Sequence, residues 1–233
     1  MSPAVNEAIL NLSKRGLISR VSIMPNEAFV DRELKALKEL NLSLGLHFNL
    51  THHQPYRSPG ELMKAWLLAS SEKKQKLKIW VLQELKLQIE KMEALEIKTD
   101  YLDGHQHIHL IPGLFDEISD FLKQKKILQV RLPLDWKLLF TARFPIPLLA
   151  SSLKGTLKTL GFHTLDFFYP SSSDFKSPES LLRALNKNAQ KEILIHPSTR
   201  NDFKEFKIQD SYQDERVHEY QMLLALLDLE KIN

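Results

Sequence analysis

Apolar residues along this chain change period several times, and each change marks an element. Val5, Ile9, Leu10 and Leu12 recur at roughly helical spacing, with Ser2 placed to cap, Pro3 suited to the first turn and Gly16 placed to stop, so a helix is predicted over residues 3–15. LISRVSIMPN then alternates and is β-branched, which predicts a strand ending at Pro25-Asn26. A second helix is predicted from Asp31 to Leu40, a second strand in LSLGLHFNLT with Gly45 inside it, and one or two helices over residues 61–96. KTDYLDGHQHIHL reads as a third strand. Helix follows from Leu114 to Lys125, strand in ILQVRLP, helix from Leu181 to Lys187, strand in KEILIHP, and a closing helix from Tyr212 to Leu229. Pro145, Pro147 and Pro170 interrupt residues 135–173, where helical and extended pieces are expected to mix.

Strand alternating with helix is the signature of a parallel α/β fold in one domain spanning residues 1–233. No internal repeat or low-complexity linker breaks it. Several predicted strands end in polar or ionisable groups: Asn26, His47, Asp103 with His105, Arg131 and His196. In parallel sheets the C-terminal strand ends share one rim, where catalytic groups converge. These distant residues are therefore expected to be neighbours.

Composition narrows the chemistry. Hydrophobic residues make up 43% and charged residues 26%, as in an ordinary globular protein. The 32 Lys and Arg are interleaved with 29 Asp and Glu for a net charge of +3, which argues for neither nucleic acid nor a polybasic tract. There is no cysteine, so disulfides, thiolate nucleophiles and Cys-bound metals are excluded. No apolar run has signal-peptide or membrane-spanning length, which leaves a cytoplasmic address as the expectation.

The stretch YLDGHQHIHLIPG carries three of the nine histidines. If the strand continued that far, Asp103, His105, His107 and His109 would project to one face. Imidazoles with a carboxylate beside them suit a divalent cation, the carboxylate fixing a ring's tautomer. His47 and His196 join them as candidates by position on the same rim, and Arg131 as a rim cation for a carboxylate or substrate. His52 and His53, in the loop after the second strand, read as solvated.

SPAVNEAI with RGLISRVSIMPN, then GLHFNLT, DGHQHIHLIPG, RLP and LIHP, in that order and spacing, resemble the YdjC-like carbohydrate deacetylases over nearly the whole chain. The resemblance implies a distorted (β/α) TIM-like barrel with a divalent metal ion (Mg2+ or Zn2+), removing the N-acetyl group from an acetylated amino sugar, chitooligosaccharide-like or carried on a glycolipid. It implies His47 and His105 as metal ligands and His196 as the acid or an oxyanion partner. Ser198 stands where the family often has glycine. Arg131 would orient a carboxylate.

A family chain normally opens with a strand ending in Asp-Asp-Phe-Gly before the segment matching SPAVNEAI, whereas these residues start at Met1-Ser2. The expectation is a barrel without its first strand, weak metal binding by two imidazoles, and little or no turnover, Asp103 being the nearest carboxylate to serve as base or as partner to the histidines. Other readings are a metal-dependent phosphoesterase on a similar barrel and a sugar-binding homologue that has lost the chemistry. A homodimer is a possible assembly.

Overall fold

The computed structural model describes residues 2–26, 31–52, 54–135, 145–168, 175–187, 192–205 and 212–230. His53, Pro170 and the stretches 136–144 and 169–174 of the proline-interrupted region lie outside them. The elements in chain order are α1 (Pro3–Lys14), β1 (Arg20–Ile23), α2 (Asp31–Lys38), β2 (Ser43–Phe48), α3 (Pro59–Leu68), α4 (Ser71–Ala94), β3 (Tyr101–Gly104), a 3-10 turn (His105–Leu110) and α5 (Leu114–Gln124). There follow β4 (Gln129–Pro133), α6 (Pro145–Thr159), β5 (His163–Phe168), α7 (Pro178–Lys187), β6 (Glu192–Ile193) and α8 (Gln213–Glu230). Strands stand in the order β1-β2-β3-β4-β5-β6, and the pairs β2–β3, β3–β4 and β5–β6 are parallel. Sequential parallel order with intervening helices is the α/β winding expected of a TIM-like barrel. No helix among the described residues is long and apolar enough to cross a membrane.

The chain divides into two compact, interleaved units. One comprises residues 1–21, 27–43 and 167–233. Its first helix begins as the sequence predicts: Ser2 Oγ accepts from the Val5 amide at 3.4 Å, Pro3 occupies the first turn, and Gly16 follows the end at φ 76°, a left-handed conformation glycine adopts without strain. Leu12 packs with Phe175, Leu181, Met222, Leu223 and Leu226 in a buried cluster that ties α1 to α7 and α8.

The other unit comprises residues 22–26 and 44–166. Its core holds the buried strand residues Leu46, Phe48, Leu102, Val130 and Leu132, with Trp66 from α3, Leu85 and Ile89 from α4, and Phe115 and Ile118 from α5. Leu46, Phe48, Leu102, Val130 and Leu132 are all almost fully inaccessible, as expected of strands covered on both faces. Gly45 lies opposite Tyr101 in the β2–β3 register, and a Cβ there would sit 2.3 Å from the Tyr101 ring, so the glycine inside β2 is what lets that ring lie across the strand.

The third strand is shorter than the sequence predicts. It stops at Gly104, and His105–Leu110 form the 3-10 turn, with Gln106 and His107 at φ 50° and 61°. The histidines therefore do not line one face of a strand. The physical reason lies in Gly104: a Cβ at that position would meet His109 Nδ1 at 2.5 Å, so its bare backbone lets the chain fold back over the strand end.

Candidate active site

Register brings the first pair together. His47 on β2 is the direct parallel partner of Asp103 on β3, so both side chains leave the same sheet face side by side. His47 Nδ1 lies 2.6 Å from Asp103 Oδ1. On β4, one residue beyond the Leu102–Val130 pair, Arg131 donates from Nη1 to Asp103 Oδ2 at 3.1 Å and to Ser22 Oγ at 2.9 Å. Ser22, on β1, donates its own hydroxyl to Asp103 Oδ2 at 2.8 Å. That hydroxyl has one proton, so the Tyr101 phenol 3.0 Å away is the donor in their contact. Three strand-borne groups thus close around one carboxylate, with the Tyr101 phenol behind Ser22, and the Arg131 guanidinium also lies 5.3 Å from the Tyr101 ring centroid.

Burial by itself would raise the pKa of Asp103. The charge and hydrogen bond of His47, the Arg131 charge and the Ser22 hydroxyl more than offset it, and hold the carboxyl well below the usual carboxylate range. Asp103 is therefore a fixed anion that orients its neighbours, a poor fit for a proton-accepting base. In a neutral His47 ring, donation from Nδ1 to Asp103 leaves Nε2 with the lone pair, the tautomer that ligating histidines use. His47 is 28% exposed while Asp103 and Arg131 are 7% and 6% exposed, so the reachable end of the network is the imidazole.

His105, the first residue of the 3-10 turn, brings its ring to 5.4 Å from that of His47, edge to face. His52, which the sequence reading leaves in solvent, also turns toward the site, its ring 5.9 Å from that of His105. The loop that carries it is held by buried amides. Asn49 Oδ1 accepts from the amides of Thr51 and His52, its Nδ2 donates to the His52 carbonyl, and its backbone exchanges two hydrogen bonds with the side chain of Gln88 on α4. Thr51 Oγ1 donates to Gln106 Oε1 at 3.0 Å, linking this loop to the 3-10 turn. His52 was legible only as the loop residue that follows a strand end.

His109 is fully buried: Nε2 donates to the Arg131 carbonyl at 3.1 Å, and Nδ1 has no partner among the described residues. Burial pushes its pKa down to about 4, against opposing contributions from Asp103 and the Arg131 carbonyl. It is a neutral structural brace under Arg131. His107 packs 6.3 Å from it, ring to ring.

His196 belongs to the other compact unit and is described with its own neighbours. Its amide donates to Glu219 Oε2 at 2.7 Å and its carbonyl accepts from Arg216 Nη1 at 3.1 Å, so α8 fixes the backbone at this position. Its ring lies 6.2 Å from that of Tyr212, whose hydroxyl donates to Glu219. Burial leads in raising the pKa of Glu219, opposed by those hydrogen bonds and by Arg216.

The donor set fits a divalent cation in kind. His47 Nε2 and His105 offer two imidazoles, one oriented by a carboxylate, as a zinc-like ion prefers. Among the described residues, however, no group of three or more His, Asp and Glu is placed to hold a metal.

The family model described as YdjC-like protein matches residues 1–226, and the chain belongs to that family. Over 134 residues, 54% of this chain and 53% of the relative, it is 26% identical to the chitooligosaccharide deacetylase of Proteus mirabilis (strain HI4320). The match thus spans about half the length of that curated relative. A crystal structure from Enterococcus faecalis V583, of a protein provisionally assigned to cellobiose-phosphate cleavage, superposes with a TM-score of 0.69 at 17% identity, covering 99% of this chain and 89% of the other. At that identity the likeness establishes the fold alone.

Proposed function

We propose that this chain is a carbohydrate deacetylase that hydrolyses the N-acetyl group of an acetylated amino sugar, on a chitooligosaccharide-like or glycolipid substrate, with a divalent metal (Mg2+ or Zn2+). Family membership and the activity of the matched relative support the reaction class. The observation that carries the residue assignment is the His47–Asp103 contact of 2.6 Å with the His105 ring 5.4 Å from that of His47. His47 and His105 would hold the metal, which when bound supplies a Lewis acid for the acetamide carbonyl. Asp103 fixes the His47 ring, and His47 together with Arg131 and Ser22 keeps Asp103 ionised; the carboxylate that Arg131 orients is the protein's own. His196, its backbone clamped by Glu219 and Arg216, is assigned the acid or oxyanion role.

Calorimetric titration with zinc, alongside acetate release from diacetylchitobiose, tests this. Zinc binding should vanish in His47→Ala and in His105→Ala, and weaken by about 10–100-fold in Asp103→Asn. Zinc binding that survives both alanine substitutions would refute the assignment. The two-donor count among the described residues favours, as a second reading, a sugar-binding homologue without chemistry. Affinity for diacetylchitobiose with neither zinc binding nor acetate release would select it.

A further inference from the structure

Helices α3 and α4 form a feature that the deacetylase reading does not use. Between them and the preceding loop lies a cavity of about 690 Å³ lined by Tyr56, Trp80, Leu68, Leu77, Lys64 and Lys73 among others. The Tyr56 and Trp80 rings pack 5.5 Å apart at a tilt of 58°. Lys64 and Lys73 have no ion-pair partner among the described residues. The acidic lining residue, Glu61, accepts from the Arg57 amide at 2.8 Å and leaves the lysines lining the cavity in excess over its single carboxylate. A third lining lysine, Lys76, pairs with Glu72.

The C-terminal turn of α3 presents two leucines to solvent, Leu67 at 54% and Leu68, which also lines the cavity, at 74% exposed. The other face of the same helix is spent on the core, where Leu62 and Trp66 are buried and Trp66 Nε1 donates to the Pro112 carbonyl at 3.0 Å. Protruding leucines, a Tyr–Trp pair and uncompensated ammonium groups on one short segment are the makings of an interfacial site. Apolar side chains enter the acyl region, aromatic rings settle at headgroup level, and lysines meet acidic headgroups.

We propose that the α3–α4 segment is a docking surface for an anionic lipid bilayer. Charge complementarity selects this occupant over a neutral one, and the solvent-exposed Leu67 and Leu68 select a bilayer over a small soluble anion, which would have no use for them. The surface is contiguous in sequence with the candidate site, because the loop that turns His52 toward His105 runs on into Pro55 and Tyr56. The proposal stands whether or not the chain is a deacetylase.

Flotation of the full chain with vesicles of phosphatidylcholine, with and without phosphatidylglycerol, tests it. Binding is expected with the anionic vesicles only, weakening as ionic strength rises. Lys64→Gln and Lys73→Gln should each lower the partition coefficient about fivefold, and the double variant Leu67→Ser, Leu68→Ser about tenfold or more. Leu87→Ser, an exposed leucine elsewhere on α4, should change nothing. All five positions are at the surface, so each variant should keep the parent melting temperature. Because the chain has no cysteine, a fluorophore on Leu68→Cys should also report transfer to an apolar medium when anionic vesicles are added. Failure to float with anionic vesicles at low salt overturns the proposal. So does unaltered flotation of the double-leucine variant, or a dimer of the parent chain that this variant converts to monomer, which would make a second copy the occupant.

Discussion

Two carboxylates in this protein each keep company with a histidine and an arginine, yet their ionisation is driven in opposite directions. Asp103 on β3 is held low, whereas Glu219 on α8 is pushed up. Burial leads in both cases and disfavours the charged form in both. The difference lies in which atoms make contact. Arg131 and the His47 ring touch Asp103 directly, at 3.1 Å and 2.6 Å. Arg216 turns its Nη1 to the His196 carbonyl and stacks over Tyr212 and Phe203, leaving Glu219 with a backbone amide and a phenol as its close donors. Neutral donors only partly offset burial; a cation in contact reverses it. Both groups have a histidine, an arginine and a tyrosine nearby, but Asp103 also takes the Ser22 hydroxyl and direct contact with its cations, whereas Glu219 has Glu215 as a repelling neighbour, so one is held as an anion and the other is a readier proton carrier.

The comparison is most severely tested by removing the cation. Arg131→Met leaves Asp103 buried with its charge uncompensated and should cost about 3–5 kcal/mol of stability in urea denaturation. Combining it with Asp103→Leu removes the stranded charge, and most of that loss should return. If the double variant is as unstable as the single one, packing of Arg131 rather than its charge is what matters, and the contrast with Glu219 fails.

A pH titration of stability reads the brace beneath this network. His109 has a folded-state pKa near 4 against an ordinary value of 6.5. Below pH 6.5 the unfolded chain binds a proton that the folded chain refuses until about pH 4, so stability should fall as pH drops through that window, by on the order of 3 kcal/mol. His109→Gln, which can still donate to the Arg131 carbonyl, should flatten this slope. An equally steep slope in the variant would assign the acid sensitivity to other groups.

The sequence reading goes furthest where periodicity and parallel register decide the outcome. The helices from α1 through α5 and the strands β1, β2 and β4 follow from the apolar period, and the meeting of His47, Asp103 and Arg131 follows from strand ends sharing a rim. It fails at Gly104, where alternation through HQHIH mimics a continuing strand. What ends β3 is a contact between the Gly104 backbone and the ring of His109, five residues on, and no local pattern announces it. Ser22 and Tyr101 were missed for a related reason: hydroxyl residues inside a strand look like ordinary alternation until a buried charge on the neighbouring strand calls for donors. His52 was discounted as a loop histidine because the amide lock between Asn49 and Gln88 spans 39 residues.

The smallest expected effect is also the one that separates the two carboxylates most cleanly. Glu219→Gln keeps a carbonyl acceptor for the His196 amide, turns its NH2 as a donor toward the Tyr212 oxygen, and removes a charge that burial disfavours. A raised folded-state pKa means that the native chain holds the proton longer than the unfolded chain does. Wild-type stability therefore falls as pH rises through the ordinary glutamate value toward the raised one. The variant lacks that fall, so its cost relative to wild type should be about 1 kcal/mol at pH 4.5 and shrink toward zero by pH 8. Asp103→Asn should behave in the reverse sense, because the lowered pKa of Asp103 contributes stability above the ordinary aspartate value and loses it progressively as pH falls from that value toward the depressed one. Its cost should be larger at pH 8 than at pH 3.5. Urea midpoints for both variants at the two ends of each range decide the matter, and parallel pH trends would show that contact with a cation is not what sets these two groups apart.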